Sequence, residues 1–233
     1  MAKRGVIYAI WGDDDKHKRA LDRSRRSLES VHPELPVEVL RFTDEKHPIY
    51  GLAQKAKILS RSPFEETLYL DLDTVVLGRL DYAFEKAGKF GLACCICECP
   101  WARRYVGLAA RPALIEYNTG VMFFTGAARP VFERWEKLVG TLDSSVPFID
   151  TATQKLLVSR FNDQAAFALA IEETNFNPFI LPLNYNFRPV FYSSWFGPLV
   201  IWHGYAEIPA PVLTINRHYK TQENPVMQFH LLP

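Results

Sequence analysis

Apolar positions in the first half of the chain fall into two kinds of pattern. A short run of β-branched and aromatic residues that ends at Gly12 predicts a buried first strand at Val6–Ile10, alternation predicts a second strand at Val37–Phe42, and further strands are predicted at Thr67–Asp71 and Thr74–Leu77. Between the first two runs, apolar residues recur at helical spacing and predict an amphipathic helix that contains Leu21, Leu28 and Val31. The arginines of that helix are predicted to face solvent.

The alternation of strands and helices continues into the second half. Helices are predicted at Ala53–Leu59, Val131–Val139 and Asp163–Ile171, the last capped by Asn162. Another apolar run spans Phe90–Cys97, a strand is predicted at Asn118–Phe124, and residues 179–192 and 199–205 are predicted to form strands and aromatic loops. These elements predict one α/β domain over residues 1–233, with a mainly parallel mixed sheet flanked by helices. In such sheets ligands bind beyond the carboxyl ends of the strands, so we expect the site there.

Charge and composition exclude several classes of protein. Lys and Arg number 27 against 26 Asp and Glu, a net charge of +1, so the chain lacks the basic excess typical of nucleic-acid-binding proteins. The sequence contains no run of 18 apolar residues, which is the length that would predict a membrane span. The apolar run near the N-terminus is too short for a secretory signal and ends at acidic residues. We expect a cytoplasmic protein.

All four cysteines fall within one short segment: Cys94, Cys95, Cys97 and Cys99. Neighbours that close cannot link distant parts of a fold by disulfides. Structural zinc needs converging ligands, usually two Cys pairs from different segments, and this chain has no second pair. We therefore predict small buried residues here and no zinc site.

The segment Leu68-Tyr69-Leu70-Asp71-Leu72-Asp73 carries the strongest chemical signal. A hydrophobic strand delivers two carboxylates one residue apart, and the period of two directs both to the same side. Like charges that close need a cation, and Mg²⁺ or Mn²⁺ binds carboxylate oxygens while leaving positions for phosphate. Spacing alone leaves an alternative, in which Asp71 caps a turn and Asp73 faces water.

Longer motifs give this segment a context. Residues 55–76 read KAKILSRSPFEETLYLDLDTVV, followed by Asn118-Thr119-Gly120, Asp163-Gln164, Leu181-Pro182 with Asn184, and His203. In this order the motifs resemble those of GT-A-fold glycosyltransferases, especially glycosyltransferase family 8, the glycogenin and lipopolysaccharide galactosyltransferase type. The resemblance spans most of the chain. It implies a single Rossmann-like GT-A domain, with a nucleotide-binding part at about residues 1–80 and a donor-sugar and acceptor part at about 81–233.

The resemblance also implies an activity and a metal. The expected reaction is transfer of a sugar from a nucleotide-diphosphate sugar to a carbohydrate or other hydroxyl acceptor, with retention of anomeric configuration. Asp71 would contact the donor's ribose and the metal, with Leu72 beside it, and Asp73 and His203 would complete the metal ligands. An imidazole beside two carboxylates favours Mn²⁺ over Mg²⁺. Asp73 is expected to act in catalysis through that metal.

Further residues match donor-binding positions of the family. Asn118 would hydrogen-bond the donor sugar, Asp163 would bind its hydroxyls, and Gln164 would lie beneath the anomeric carbon. Ala9 and Trp11, at the end of the first strand, would hold the base and ribose. Lys57 matches a basic position before the metal strand.

Two positions depart from the family pattern. Trp11 replaces an acidic residue, which leaves the donor's base open, with a UDP-sugar slightly favoured. The family's lysine after the late histidine, which contacts the diphosphate, is missing, and the sequence alone does not select its replacement among Arg188, Arg217, His218 and Lys220.

Two other functions fit parts of the pattern. A sugar nucleotidyltransferase shares the architecture but has a glycine-rich basic loop after its first strand, where this chain has Gly12-Asp13-Asp14-Asp15. A non-catalytic nucleotide- or carbohydrate-binding domain descended from a glycosyltransferase would explain the missing lysine. Turnover of a donor separates it from an enzyme.

Overall fold

A six-stranded mixed sheet forms the centre of the molecule. The computed structural model describes residues 3–12, 14–42, 53–97, 114–142, 146–149, 153–159, 163–219 and 228–230. Its strands are β1 (Arg4–Trp11), β2 (Val37–Phe42), β3 (Glu66–Leu70), β4 (Thr74–Val76), β5 (Leu92–Ile96), β6 (Tyr117–Thr125), β7 (Val146–Ile149), β8 (Leu156–Ser159), β9 (Phe179–Ile180), β10 (Ser194–Phe196), β11 (Ile201–His203) and β12 (Gln228–His230). Its helices are α1 (Asp15–Val31), α2 (Ile58–Arg61), α3 (Asp81–Phe90), α4 (Arg129–Val139), α5 (Asp163–Glu173) and α6 (Ala210–Tyr219).

Strand direction brings two distant segments to one edge of the sheet. The order is β2-β1-β3-β6-β5-β9, with β1 parallel to β2 and β3, and β5 parallel to β9. Strand β6 runs antiparallel to both of its neighbours, β3 and β5. The start of β6 therefore lies beside the end of β3, and Asp71 N donates to Gly120 O at 2.8 Å. The predicted mixed sheet is confirmed.

The sheet is buried on both faces because alternate residues of its strands pack against different helices. On one face Ile7 and Tyr69 join a cluster with Trp135 of α4 and Phe167 of α5. On the other face the neighbours of these strand residues pack against α1 and α3, in a cluster with Tyr8, Leu68, Leu28 and Phe84. This period of two is what the sequence pattern predicted.

The cysteine segment is part of this core. Cys94 packs in the cluster under α4 and α5, whereas Cys95 packs on the opposite face, where its thiol donates to Pro182 O at 3.4 Å. Burial raises the pKa of the Cys94 thiol, which keeps it protonated. Cys97 is also buried, and Cys99 lies outside the described residues.

The helices differ from the prediction in three places. Helix α3 was not predicted, although Ala83, Phe84 and Ala87 bury one face and Gly91, at φ 81°, ends it. Helix α6 lies in the third of the chain predicted to be strands and loops. The predicted helix at Ala53–Leu59 is interrupted: residues 53–55 are helical, residues 56–57 form a turn, and α2 begins at Ile58. Asn162, the predicted cap of α5, lies outside the described residues.

Among the described residues, no helix has the length and apolar character needed to cross a membrane.

A pair of short strands outside the central sheet positions His203. Strand β11 pairs antiparallel with β4, opposing His203 to Thr74. A separate apolar cluster with Val75, Trp202 and Val212 of α6 supports this pair. Because β4 follows β3 after a single turn, the pairing brings His203 back to the carboxylates that end β3.

Candidate metal and donor site

Asp71 and Asp73 lie in a tight turn between β3 and β4. Thr74 closes this turn: its backbone N donates to Asp71 O at 3.2 Å and its Oγ1 donates to the same oxygen at 2.8 Å. Both carboxylates are only partly exposed, with side-chain exposures of 28% and 21%. Leu72 between them turns the other way and is buried in the core beneath α1 and α3.

His203 completes a group that has the ligands for a divalent metal. Its Nε2 lies 3.3 Å from Asp73 Oδ1 and 3.9 Å from Asp71 Oδ2, and Gly204 N donates to Asp73 O at 2.8 Å. One ligand atom from each of the three residues lies within 4.8 Å of the other two. Two carboxylates and one imidazole suit Mn²⁺, and also Mg²⁺ with a poorer match.

Gly120 leaves the space in which this group converges. A Cβ at this position would lie 2.4 Å from His203 Cε1 and 2.6 Å from Asp71 Oδ2. No side chain fits there unless the ligand residues move. The glycine in Asn118-Thr119-Gly120 therefore has a steric reason that belongs to the site.

A buried lysine that the sequence analysis did not single out bridges two of the predicted site residues. Lys55 Nζ lies 3.0 Å from Asp71 Oδ1 and 3.3 Å from Asp163 Oδ2, with its side chain 6% exposed. Burial by itself lowers the pKa of Lys55, but Asp163 and Asp71 together raise the pKa above its ordinary value. The ammonium is therefore charged at neutral pH.

Tyr69 donates a further hydrogen bond to the same carboxylate, from its OH to Asp71 Oδ1 at 2.8 Å. Burial, and then the charge of Asp71, raise the pKa of Tyr69 well above its usual value, so the hydroxyl stays protonated. Asp71 Oδ1 is thus fully engaged by protein, and Oδ2 is the oxygen on the side of His203.

The start of α5 brings Asp163 and Gln164 to this site. Asp163 Oδ2 accepts from Thr119 Oγ1 at 2.7 Å, and Trp135 Nε1 donates to the Asp163 carbonyl at 3.1 Å. Gln164 Oε1 accepts from Asn118 Nδ2 at 3.0 Å. Asn118 is 3% exposed and uses both atoms of its amide on protein partners.

Of the other predicted donor-binding residues, two lie beside the carboxylate turn and one does not. Ala9 and Trp11 follow Tyr8, which pairs with Leu70, so they extend beside the carboxylate turn; Trp11 stacks on Phe42 with centroids 5.9 Å apart. Lys57 is not brought to the carboxylates. It is the N-cap residue of α2, and its Nζ lies 3.4 Å from Glu136 Oε1.

An open cleft of about 460 Å³ adjoins the metal-ligand group. Its walls are formed by Asp73, Arg188, Pro189, Val190, His203, Gly204, Tyr205 and Ala206. Arg188 is the one arginine or lysine among these residues. Arg217 and His218 lie on the exposed side of α6, and Lys220 lies outside the described residues.

Arg23 holds one wall of this cleft. Its guanidinium donates to Tyr205 O at 3.1 Å and to Ala206 O at 3.0 Å. The sequence pattern predicted that the arginines of α1 face solvent, and for Arg23 the structure corrects this prediction. The partners are 182 and 183 residues away, which no local pattern reveals.

Comparison with solved structures identifies the fold. The chain superposes on the galactosyltransferase LgtC, solved with donor and acceptor sugar analogues, with a TM-score of 0.53 and 12% identity, covering 93% of this chain and 94% of that one. It superposes on mouse xyloside xylosyltransferase 1 with a TM-score of 0.58 and 14% identity, covering 89% and 100%. This chain has the GT-A glycosyltransferase fold.

A third GT-A structure extends the comparison to a different source. A glycosyltransferase involved in glycosylation of the major capsid of PBCV-1 matches with a TM-score of 0.56 and 12% identity, covering 94% of this chain and all of that one. No model of a protein family matches the chain, and no curated protein matches it. At these identities the likeness concerns the GT-A fold.

Proposed function

We propose that the protein is a metal-dependent glycosyltransferase that uses a nucleotide-diphosphate sugar. The observation that carries this proposal is the convergence of Asp71, Asp73 and His203 at the carboxyl end of β3 in a GT-A fold. The two carboxylates and His203 come from segments far apart in sequence, and Gly120, in a third segment, leaves the space in which they converge. The solved proteins that share the fold are described as sugar transferases.

The bound metal would stabilise the charge of the leaving diphosphate. Asp73 and His203 would hold it, together with Oδ2 of Asp71. We favour Mn²⁺ because one of the three ligands is a nitrogen atom. Lys55 fixes the orientation of Asp71 from the opposite side and compensates its charge in the buried part of the site.

We further propose that transfer retains the anomeric configuration. Asp163 is held by Lys55 and Thr119, an arrangement suited to accepting hydrogen bonds from sugar hydroxyls. Gln164, held by Asn118, would lie beneath the anomeric carbon. An amide is a poor nucleophile, so substitution on the face of the departing phosphate is the mechanism we favour.

Arg188 is our candidate for the cation that binds the diphosphate. It lines the same cleft as Asp73 and His203, and the guanidinium lies over the Phe191 ring at 4.6 Å. Two carboxylates and a divalent ion roughly cancel, so an incoming diphosphate needs a further positive charge. The planar guanidinium suits phosphate oxygens.

The donor's base, the acceptor and the location of the protein stay predictions. We expect a UDP-sugar, a carbohydrate or other hydroxyl acceptor, and a cytoplasmic location. We also keep the predictions that the protein binds no nucleic acid and that its cysteines bind no zinc.

Thermal unfolding with nucleoside diphosphates tests the proposed function. Uridine, guanosine, adenosine, cytidine and thymidine diphosphates are each added with Mn²⁺ or with EDTA. A ligand at 100 times its Kd stabilises by about 2.7 kcal/mol. In a chain of this size, that raises Tm by about 5–10 °C. We expect one diphosphate to do so with Mn²⁺ only.

Turnover then separates the alternatives. Release of the diphosphate from the matching nucleotide-sugar, with transfer to an acceptor or to water, supports the enzyme. Binding without any turnover supports a non-catalytic domain, and pyrophosphate release from a nucleoside triphosphate and a sugar phosphate supports a nucleotidyltransferase. The absence of any Mn²⁺-dependent shift contradicts the proposal.

Arg188→Gln is expected to weaken Mn²⁺-dependent binding of the diphosphate. Loss of a charge-assisted hydrogen bond of about 1.5–3 kcal/mol lowers affinity roughly 10- to 100-fold. Binding of the nucleoside monophosphate should change less. Calorimetric titration measures both, with Arg217→Gln on exposed α6 as the matched control. Equal affinities of the two variants for the diphosphate would remove Arg188 from the site.

A further inference from the structure

A chain of side-chain amides behind the metal-ligand group has one orientation only. It begins at the Gly120 backbone N–H, which can only donate and lies 2.9 Å from the oxygen of the Asn118 amide. Asn118 Oδ1 is therefore the acceptor, and Asn118 Nδ2 lies on the other side, donating to Gln164 Oε1 at 3.0 Å. A backbone donor thus fixes the orientation of the first amide.

The second amide follows from the first. A side-chain atom of Asn186 lies 2.8 Å from Asn118 Oδ1, and because that oxygen accepts, the Asn186 atom must be the donor Nδ2. The other end of the Asn186 amide is then Oδ1, which lies 2.7 Å from His203 Nδ1. An oxygen at this distance accepts the hydrogen of Nδ1–H.

The tautomer of His203 follows from this chain. In a neutral imidazole only one nitrogen carries hydrogen, so with Nδ1 protonated, Nε2 has the free lone pair. Nε2 is the nitrogen that faces Asp73 and Asp71, at 3.3 Å and 3.9 Å. Without Asn186, the two carboxylates would favour the opposite tautomer, in which Nε2–H donates to Asp73 and cannot bind a metal ion.

We propose that Asn186 is a positioning residue that holds His203 in the Nδ1–H tautomer, so that Nε2 is free to bind a divalent metal ion with Asp71 and Asp73. The part about the metal rests on the proposed function; the tautomer itself does not. Asn186 is 1% exposed, and it follows a short 3-10 helix, Leu183–Tyr185, to which its own backbone N is bonded.

The backbone around Asn186 keeps the two side chains in register. Phe187 N donates to Ile201 O at 2.9 Å, and His203 N donates to Phe187 O at 2.8 Å. Asn186 and His203 are therefore attached to paired backbone segments, so the 2.7 Å contact does not depend on two flexible side chains meeting. Outer-shell partners of this kind orient metal-binding imidazoles.

Nitrogen-15 NMR of the imidazoles, without metal or nucleotide, tests the tautomer. Spectra are recorded on the labelled protein at about pH 8.5, above the ordinary histidine pKa. Comparison with His203→Gln assigns the His203 signals. In the wild type we expect a protonated Nδ1 and an unprotonated Nε2. A wild-type spectrum with Nε2–H overturns the inference without any variant of Asn186.

Asn186→Leu is expected to move the hydrogen to Nε2 and to lower Mn²⁺ affinity roughly 10- to 100-fold, the usual effect of losing an outer-shell partner. The matched control is Asn216→Leu. Asn216 is also buried, at 5% exposure, and its amide bonds the backbone N and O of Leu199, away from the site. The control should lose stability but keep the wild-type tautomer and Mn²⁺ affinity.

The outcomes separate this inference from the proposed function. If Asn186→Leu and Asn216→Leu show the same tautomer and the same Mn²⁺ affinity, Asn186 is only a structural residue and the inference fails. If the wild type has the Nδ1–H tautomer but binds no nucleotide with Mn²⁺, the proposed function fails while the assignment of Asn186 stands.

Discussion

Asp73→Asn is expected to abolish Mn²⁺-dependent stabilisation by a nucleoside diphosphate while leaving the protein folded. The amide removes the charge of one of the two carboxylates that we propose bind the metal, both of which face His203. Loss of an outer-shell residue already costs about 10- to 100-fold in metal affinity, so loss of a direct ligand should cost more than about 100-fold. Turnover of the donor should fall at least as far.

The fold should survive this substitution because Asp73 lies beside a second carboxylate. Removing one of two neighbouring like charges relieves repulsion and leaves no buried cation without a partner. We therefore expect the Tm of the metal-free variant to stay near that of the wild type. Asp22→Asn, the same change on the exposed face of α1, is the control. If the Mn²⁺-dependent rise in Tm is as large in Asp73→Asn as in the wild type, the proposed metal site is wrong.

Lys55→Met is expected to destabilise the fold by about 3–5 kcal/mol, the usual cost of removing one partner from a buried ion pair. Lys55 contacts Asp71 and Asp163 with its own side chain 6% exposed. Methionine fills a similar volume, so the loss comes mainly from the carboxylates left without a cation. Each kcal/mol lowers Tm by about 2–4 °C in a chain of this size, and thermal unfolding measures the shift.

A lysine two residues away provides the control for Lys55. Lys57 pairs with Glu136 at 3.4 Å, and both side chains are more than a third exposed, at 35% and 48%. Exposed pairs contribute about 0–1 kcal/mol, so Lys57→Met should change Tm little. The double variant Lys55→Met with Asp163→Asn should recover part of the loss, because it removes one uncompensated charge. Equal shifts for the two single variants would contradict the buried bridge.

Much of the core and the carboxylate pair was predictable because the signals are local. Strand β6 was predicted from a run of apolar residues, since burial on both faces selects for them, and the edge strand β2 was predicted from alternation. The spacing of Asp71 and Asp73 predicted a shared side because successive strand residues alternate. Helix α3 also carried a local signal, with Ala83, Phe84 and Ala87 on one face and Gly91 after it. The pattern of that helix was present in the sequence, but the helix was not predicted.

Choices between near neighbours were decided only by the tertiary structure. Lys55 and Lys57 are two residues apart on a broken helical segment, and the break decides which of them points at Asp71. Asn184 and Asn186 are likewise two residues apart. Asn184 bonds the carbonyls of Phe196 and Pro198, while Asn186 contacts His203.

The sequence by itself determined the class of fold and the shared side of the two carboxylates proposed to bind metal, because burial pattern and strand period are properties of a few consecutive residues. The tertiary structure alone decided the antiparallel course of β6, the pairing of β11 with β4, and hence which residues support Asp71 and His203. Those partners lie far apart in the chain, as Lys55 does from Asp163, and their contact depends on strand order and on hydrogen bonds that form only after the sheet is assembled.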